Sequence, residues 1–202
     1  LFLFETAPRF LPTELLYPLV TKECFSESGE LTTPCRFVFL PCDQKTGKPL
    51  EKEILIEKFP EAWSYLLANK KTLSNRKGTM IQSWIKRGYF WALLGVGSYS
   101  FVPYKVFWAA YGARNFKPVV LSSFQGQFWQ GNQAMHAFIP CESAVEAEKV
   151  RIMLSHESIQ CFLEASRTQG TCNWAQPGRI KQIVRFIEPQ QLSLFPAEGF
   201  SF

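Results

Sequence analysis

Lys105-Val106-Phe107-Trp108-Ala109-Ala110 and Lys117-Pro118-Val119-Val120-Leu121-Ser122-Ser123-Phe124 are two β-prone runs, split by Tyr111-Gly112-Ala113-Arg114-Asn115, and Met135-His136-Ala137-Phe138-Ile139 is a third. β-Branched and aromatic residues bounded by glycine and asparagine are the signature of strands and turns. Ser143-Ala144-Val145-Glu146 then opens a helix. The Ser oxygen accepts an early amide proton while Glu146 reaches back, a capping box. The helix is predicted to run to about Ala165, with Val150, Leu154, Phe162 and Leu163 inward. This mixture predicts an α+β fold of small mixed or antiparallel sheets with flanking helices.

Upstream, Phe59-Pro60 opens the clearest early helix, because proline suits the first helical position. Trp63, Leu66, Leu67 and Leu73 fall near one face, and the stripe ends before Gly78. Lys70, Lys71, Arg76 and Lys77 follow, where cations complement the helix dipole. Residues 8–20 carry Pro8, Pro12 and Pro18 and read as an irregular approach with one helical turn. Arg36–Leu40 is a short β-prone run ended by Pro41, and Thr46-Gly47-Lys48-Pro49 is a turn. Residues 84–132 read as strands and loops rich in glycine and aromatics. Downstream, Gly170–Gly178 is a loop and Ile180–Ile187 a strand. Residues 1–188 are expected to form one domain, and residues 189–202 a tail with no obvious element.

A chain of 202 residues is long enough to bury a core without disulfides or metals. Hydrophobic residues at 47% and charged residues at 19% exclude wholesale disorder. No run approaches the ~20 apolar residues of a membrane span, so no membrane partner is expected.

The net charge of +5 is unevenly placed. Residues 1–61 have a net of −3 and residues 142–202 a net of −1. Residues 62–141 hold nine cations (Lys70, Lys71, Arg76, Lys77, Lys86, Arg87, Lys105, Arg114, Lys117) and no carboxylate. The same stretch holds 17 of the 31 aromatic residues. Unpaired cations interleaved with flat rings suit a polyanion with stackable bases. An aromatic core with a solvated basic rim has the same composition.

The scarce residues argue against several chemistries. Asp43 is the only aspartate, and His136 and His156 are the only histidines. A Ser-His-Asp triad would have to use Asp43, which sits in the turn-like Cys42-Asp43-Gln44-Lys45-Thr46-Gly47. Carboxylates to hold a catalytic cation are few. Each histidine reads as a structural or surface residue. The six cysteines (Cys24, Cys35, Cys42, Cys141, Cys161, Cys172) include no Cys-x-x-Cys pair. No catalytic or metal-ligating residue is therefore assigned. Free thiols and the lack of a signal-like start point to the cytoplasm. Leu94-Gly95-Val96-Gly97 is the one glycine pattern of nucleotide-loop type. Tyr99, Phe101 and Pro103 follow it where a helix should begin, so a tight turn between strands is expected.

Three segments carry a resemblance. Phe39-Leu40-Pro41-Cys42-Asp43-Gln44-Lys45-Thr46-Gly47-Lys48-Pro49-Leu50, then Phe59-Pro60-Glu61-Ala62-Trp63-Ser64-Tyr65-Leu66-Leu67 with Leu73-Ser74-Asn75-Arg76, then Leu94-Gly95-Val96-Gly97-Ser98-Tyr99-Ser100-Phe101-Val102-Pro103-Tyr104-Lys105-Val106-Phe107-Trp108, run in one order. Together they resemble the C-terminal target-recognition (specificity) domain of TaqI-like bacterial N6-adenine DNA methyltransferases of restriction-modification systems. The match covers roughly residues 8–187. In that class the cofactor loop and the Asn/Asp-Pro-Pro-aromatic motif lie upstream, and this sequence contains no Pro-Pro. The resemblance implies a double-stranded DNA reader excised from a longer adenine-specific methyltransferase. S-adenosylmethionine would belong to the other half, with no cofactor here and no transferase activity by this chain alone.

Methylating the exocyclic amine of adenine requires the base to leave the stack, while the recognition domain grips phosphates and reads neighbouring base edges. The candidate DNA contacts are Lys77, Lys86, Arg87, Lys105, Arg114 and Lys117, with Arg179 before the last predicted strand. Gln125, Gln127, Gln130, Asn132 and Gln133 form a cluster suited to adenine, and Gln130 and Asn132 are the preferred members. In the tail, Gln191-Leu192-Ser193-Leu194-Phe195 is similar to the pentapeptide by which bacterial DNA-processing proteins dock on the replication sliding clamp. Gln191, Leu192, Leu194 and Phe195 would contact the partner: apolar side chains fill a cleft and the glutamine bonds at its rim. Two alternatives remain: a protein-interaction module docking on the clamp or another partner, and a nuclease.

Overall fold

A computed structural model of the chain describes residues 3–4, 10–25, 31, 33–110, 116–131, 136–165, 175 and 180. In chain order the strands are β1 (Leu3–Phe4), β2 (Leu16–Pro18), β3 (Phe37–Phe39), β4 (Tyr104–Ala109), β5 (Val119–Leu121), β6 (Ser123–Phe124), β7 (Gln127–Phe128) and β8 (His136–Cys141). The helices are α1 (Lys52–Lys58), α2 (Pro60–Ala68), α3 (Lys70–Ser74), α4 (Thr79–Lys86), α5 (Ala144–Leu154) and α6 (Glu157–Ala165). The protein is α+β, with small antiparallel sheets and flanking helices.

β4 is the organising strand. It lies between β5 and β8, antiparallel to both, with Val106 opposite Val120 on one side and Ile139 on the other. Side chains alternate across a strand, so Val106 and Trp108 share one face and Lys105 and Phe107 the other. Both faces are covered. Val106 and Trp108 pack with Val150 and Leu154 of α5 and Ile159 and Leu163 of α6. Each fully buried side chain of this kind contributes ~1.5–3 kcal/mol. Phe107 packs with Val20, Cys24, Leu121 and Trp129. The N-terminal segment thus roofs the second face. It is pinned there by paired backbone bonds, Val20 N to Gln130 O and Gln130 N to Pro18 O, each 2.8 Å.

The N-terminal sheet has β3 in the centre, with β1 and β2 antiparallel to it. Helices α1 to α3 pack over it through Leu55, Ala62, Leu66 and Leu73, which meet Leu15, Leu16, Phe39, Phe90 and Trp91. β6 and β7 form a ribbon closed by Gln125 (φ 49) and Gly126 (φ 80). Two positive φ values in a two-residue loop suit the right-handed twist of a hairpin.

Several expectations hold. β3 and β5 lie within the predicted runs, β4 and β8 overlap theirs, and Ser143 Oγ accepts the Glu146 amide at 3.1 Å. The Glu146 carboxylate reaches back to the Glu142 amide, at 2.8 Å. Others need correction. The single helix expected from Pro60 to Gly78 is broken at Asn69, whose Nδ2 donates to the Tyr65 carbonyl at 2.9 Å. The long helix after Ser143 is broken at Ser155 and His156, and His156 Nδ1 accepts the Ser158 amide at 3.3 Å to cap α6. The stretch read as strands and loops from residue 84 begins inside α4. Gly95 and Gly97 open a single 3-10 turn (Ser98–Phe101) and do not join two strands. The predicted loop 170–178 and strand 180–187 lie outside the described residues, apart from Ala175 and Ile180, both buried.

Candidate nucleic-acid interface

Trp84-Ile85-Lys86-Arg87-Gly88-Tyr89 ends α4 in a way that sets out one side-chain arrangement. Gly88 adopts φ +98, and no atom lies within 4 Å of where its Cβ would be. Glycine is there for its backbone angle. The Gly88 amide donates to Ile85 O at 2.9 Å and the Tyr89 amide to Trp84 O at 3.0 Å. These are the two bonds of a Schellman ending. They bring the Tyr89 ring edge-on to Trp84, with centroids 5.6 Å apart. The Tyr89 hydroxyl donates to the Glu51 carboxylate at 2.7 Å. That bond is the main reason the Tyr89 phenol is held above its usual pKa. On the outside, the exposed Arg87 guanidinium rests on the Trp84 ring, its Cζ 3.9 Å from the centroid.

The aromatic contacts continue inward. Tyr89 meets Trp91 at 5.4 Å, and Trp91 meets Trp63 at 5.5 Å and Phe90 at 5.0 Å. Lys52 stands over Trp63 and Lys70 over Phe90, at 6.0 and 5.4 Å. Lys70, Lys71, Lys77, Lys86 and Arg87 are exposed on α3, α4 and their flanks. None of these five forms an ion pair among the described residues. At the helix ends the backbone dipole favours Lys71 and Lys86 as well.

Arg76, between α3 and α4, works differently. Its Nε, Nη1 and Nη2 donate to the carbonyls of Leu73, Ala92 and Phe90 at 2.9, 2.9 and 2.6 Å. It laces the end of α3 to the aromatic segment after α4. Burial lowers its pKa.

Two sequence candidates are corrected outright. Lys105 is 2% exposed, because β4 is covered on both faces. Its Nζ donates to Ser100 O at 2.7 Å and also to Trp129 O. Burial brings its pKa down to about 7. Gln130 is 7% exposed, and its Nε2 donates to the same Ser100 carbonyl at 2.8 Å. Neither side chain is presented to a ligand. They clamp the Ser98–Phe101 turn to the segment after β7. In the glutamine cluster, Gln127 Nε2 donates to Thr13 O at 3.1 Å, and Gln125 is exposed at the hairpin tip.

Lys117 is exposed just before β5, away in sequence from the α4 group. Arg114, Asn132, Arg179, Gln191, Leu192, Leu194 and Phe195 lie outside the described residues. Asp43 is structural: its Oδ1 accepts the amide and hydroxyl of Thr46, both at 2.8 Å, which holds the carboxyl below its usual pKa. His136 packs on the Phe107 ring at 4.8 Å, and burial lowers its pKa. Among the described residues no group of three His, Cys, Asp or Glu is placed to hold a metal. No helix among them is long and apolar enough to cross a membrane. Cys24, Cys35, Cys42, Cys141 and Cys161 are free thiols. Gly97 sits against Gly47 so tightly that a Cβ on Gly47 would lie 2.2 Å from Gly97 Cα.

Sequence reasoning named Lys77, Lys86 and Arg87 but missed the Trp84 shelf. The signal was present in the order aromatic, two cations, glycine, aromatic, which is a helix ending. The chain matches no protein-family model, and no curated protein matches it.

Proposed function

We propose that the chain binds double-stranded DNA as the target-recognition domain of a bacterial adenine-N6 DNA methyltransferase of restriction-modification type. One observation carries the binding: five exposed cations on α3, α4 and their flanks, without a carboxylate anywhere in residues 62–141. Cations with no ion-pair partner among the described residues keep their charge available to phosphates, whose neutralisation releases counterions and drives association. The resemblance of residues 8–187 supports the narrower assignment. Methyl transfer and its cofactor belong, in this reading, to a catalytic domain outside this sequence, acting in the cytoplasm.

Titration of the chain with a mixed-sequence duplex at several salt concentrations tests the binding. Four phosphate contacts give a log–log slope of about −3.6. A slope near zero, or no binding at low salt, ends the reading. The tail supports a second, separable proposal, that Gln191-Leu192-Ser193-Leu194-Phe195 docks on the sliding clamp. Deleting residues 189–202 then abolishes clamp binding and leaves duplex binding intact. Retention of clamp binding rejects it.

A further inference from the structure

We infer that Arg87, stacked on Trp84 at the end of α4, reads a guanine in the recognised duplex, while Lys77 and Lys86 around it hold phosphates. The inference rests on the duplex-binding reading and adds to it a specificity-determining residue and the base that it selects.

A guanidinium presents its donors in a planar fork, and guanine offers two coplanar acceptors, O6 and N7, in the major groove. Two parallel bonds form at little cost only if the fork is already oriented. Here Trp84 occupies one face of the guanidinium, with Cζ 3.9 Å from the ring centroid. Trp84 is itself held edge-on by Tyr89, and Tyr89 is anchored through its hydroxyl to Glu51. The Arg87 Nε reaches the Ser83 carbonyl at 3.4 Å, a long contact that steers the side chain along the helix. The terminal nitrogens Nη1 and Nη2 have no partner among the described residues. One exposed cation in this region is therefore oriented and open at its bidentate edge.

The lysines differ. Lys77 and Lys86 are exposed, and neither stands over a ring among the described residues. A flexible ammonium is a point charge, sufficient for a phosphate oxygen but poor at fixing a pair of acceptors. An oriented fork flanked by mobile point charges is the division of labour expected when backbone contacts set register and a base edge sets sequence. Arg76 cannot take the part of Arg87, since all three of its donor nitrogens are committed to carbonyls inside.

The test is selection of bound duplexes from a randomised pool by the wild-type chain and by Arg87→Lys and Arg87→Ala, each checked for an unchanged unfolding midpoint. The wild type enriches a site with a G·C pair at which both variants lose discrimination by about 5- to 150-fold. Arg87→Lys keeps the salt slope, because the charge stays. Trp84→Leu weakens discrimination at that same pair only. If the variants lose affinity equally for all sequences, with the slope reduced by about 0.9 in Arg87→Ala, Arg87 holds a phosphate and the inference is wrong. It is equally wrong if the variants select the wild-type site unchanged, or if the wild type binds duplexes without preference, although duplex binding itself then stands. If the wild type binds no duplex, both fall.

Discussion

Lys105 and Gln130 converge on one acceptor: Lys105 Nζ and Gln130 Nε2 both donate to the Ser100 carbonyl, at 2.7 and 2.8 Å. Lys105 lies in β4 and Gln130 just after β7, so this oxygen joins β4, the Ser98–Phe101 turn and the segment following β7. A buried ammonium facing carbonyls, with no carboxylate in its contacts among the described residues, gives the node a titration of its own.

Burial brings Lys105 down to about 7 from 10.5. Between pH 7 and pH 9 the unfolded chain therefore holds a proton that the native protein has released, and stability rises with pH, by ~2 kcal/mol. Above 9 the buried thiols of Cys42 and Cys141, pushed up to about 12 and about 11, act in the opposite sense. Unfolded thiols ionise first there, so stability falls. Urea unfolding midpoints at pH 7, 8 and 9 should climb for the wild type and stay level for Lys105→Met. An equal climb in both removes Lys105 from the account.

Gly47 and Gly88 both have positive φ, but only one is crowded. A Cβ at Gly47 would lie 2.2 Å from the Gly97 backbone, whereas at Gly88 it meets nothing within 4 Å. Gly88→Ala should cost ~1 kcal/mol, the backbone penalty alone. Gly47→Ala must also displace backbone and should exceed ~3 kcal/mol or prevent folding. Similar losses at the two sites would mean that the Gly47 and Gly97 segments do not cross closely.

Arg76 and Lys77 are neighbours with separate tasks. Arg76→Lys breaks bonds to three carbonyls and should destabilise by ~2–3 kcal/mol. Lys77→Ala should leave the unfolding midpoint within ~0.5 kcal/mol of wild type and weaken duplex binding. Chemical denaturation and duplex titration of the two variants separate the tasks. Early unfolding of Lys77→Ala, or an unchanged midpoint in Arg76→Lys, would contradict this division of tasks.

Asp43 tests whether the one aspartate serves structure or chemistry. Its depressed pKa means that the stability it adds is present above the ordinary carboxylate range and lost as pH falls through its native value. Asp43→Asn keeps an oxygen for the Thr46 amide and hydroxyl and should fold nearly as well at pH 7. Asp43→Ala loses both bonds and should cost ~1 kcal/mol. A DNA-cleaving activity abolished in Asp43→Asn would instead make the residue catalytic.

The strand β4 and the Ser143 cap were legible because each rests on local chemistry: a run of β-branched and aromatic residues in one, a hydroxyl three residues before a glutamate in the other. The breaks at Asn69 and Ser155–His156 were not, since apolar periodicity carries through them and side-chain bonds to the backbone decide the matter. Lys105 was misread for a non-local reason. A cation in a short strand looks solvated until the N-terminal segment, some eighty residues earlier, is seen to roof that face. Arg87 was legible as a cation, but its orientation depends on Trp84, Tyr89 and Glu51 together.

The most direct measurement is the salt dependence of duplex binding for the wild type beside the triple variant Lys77→Ala, Lys86→Ala, Arg87→Ala. Surface cations on phosphates predict a linear log–log plot whose slope shrinks in the variant, by about 0.9 for each phosphate contact removed, with the unfolding midpoint unchanged. A wild-type slope near zero, or an identical slope in the variant, would contradict the claim that this helix end grips DNA.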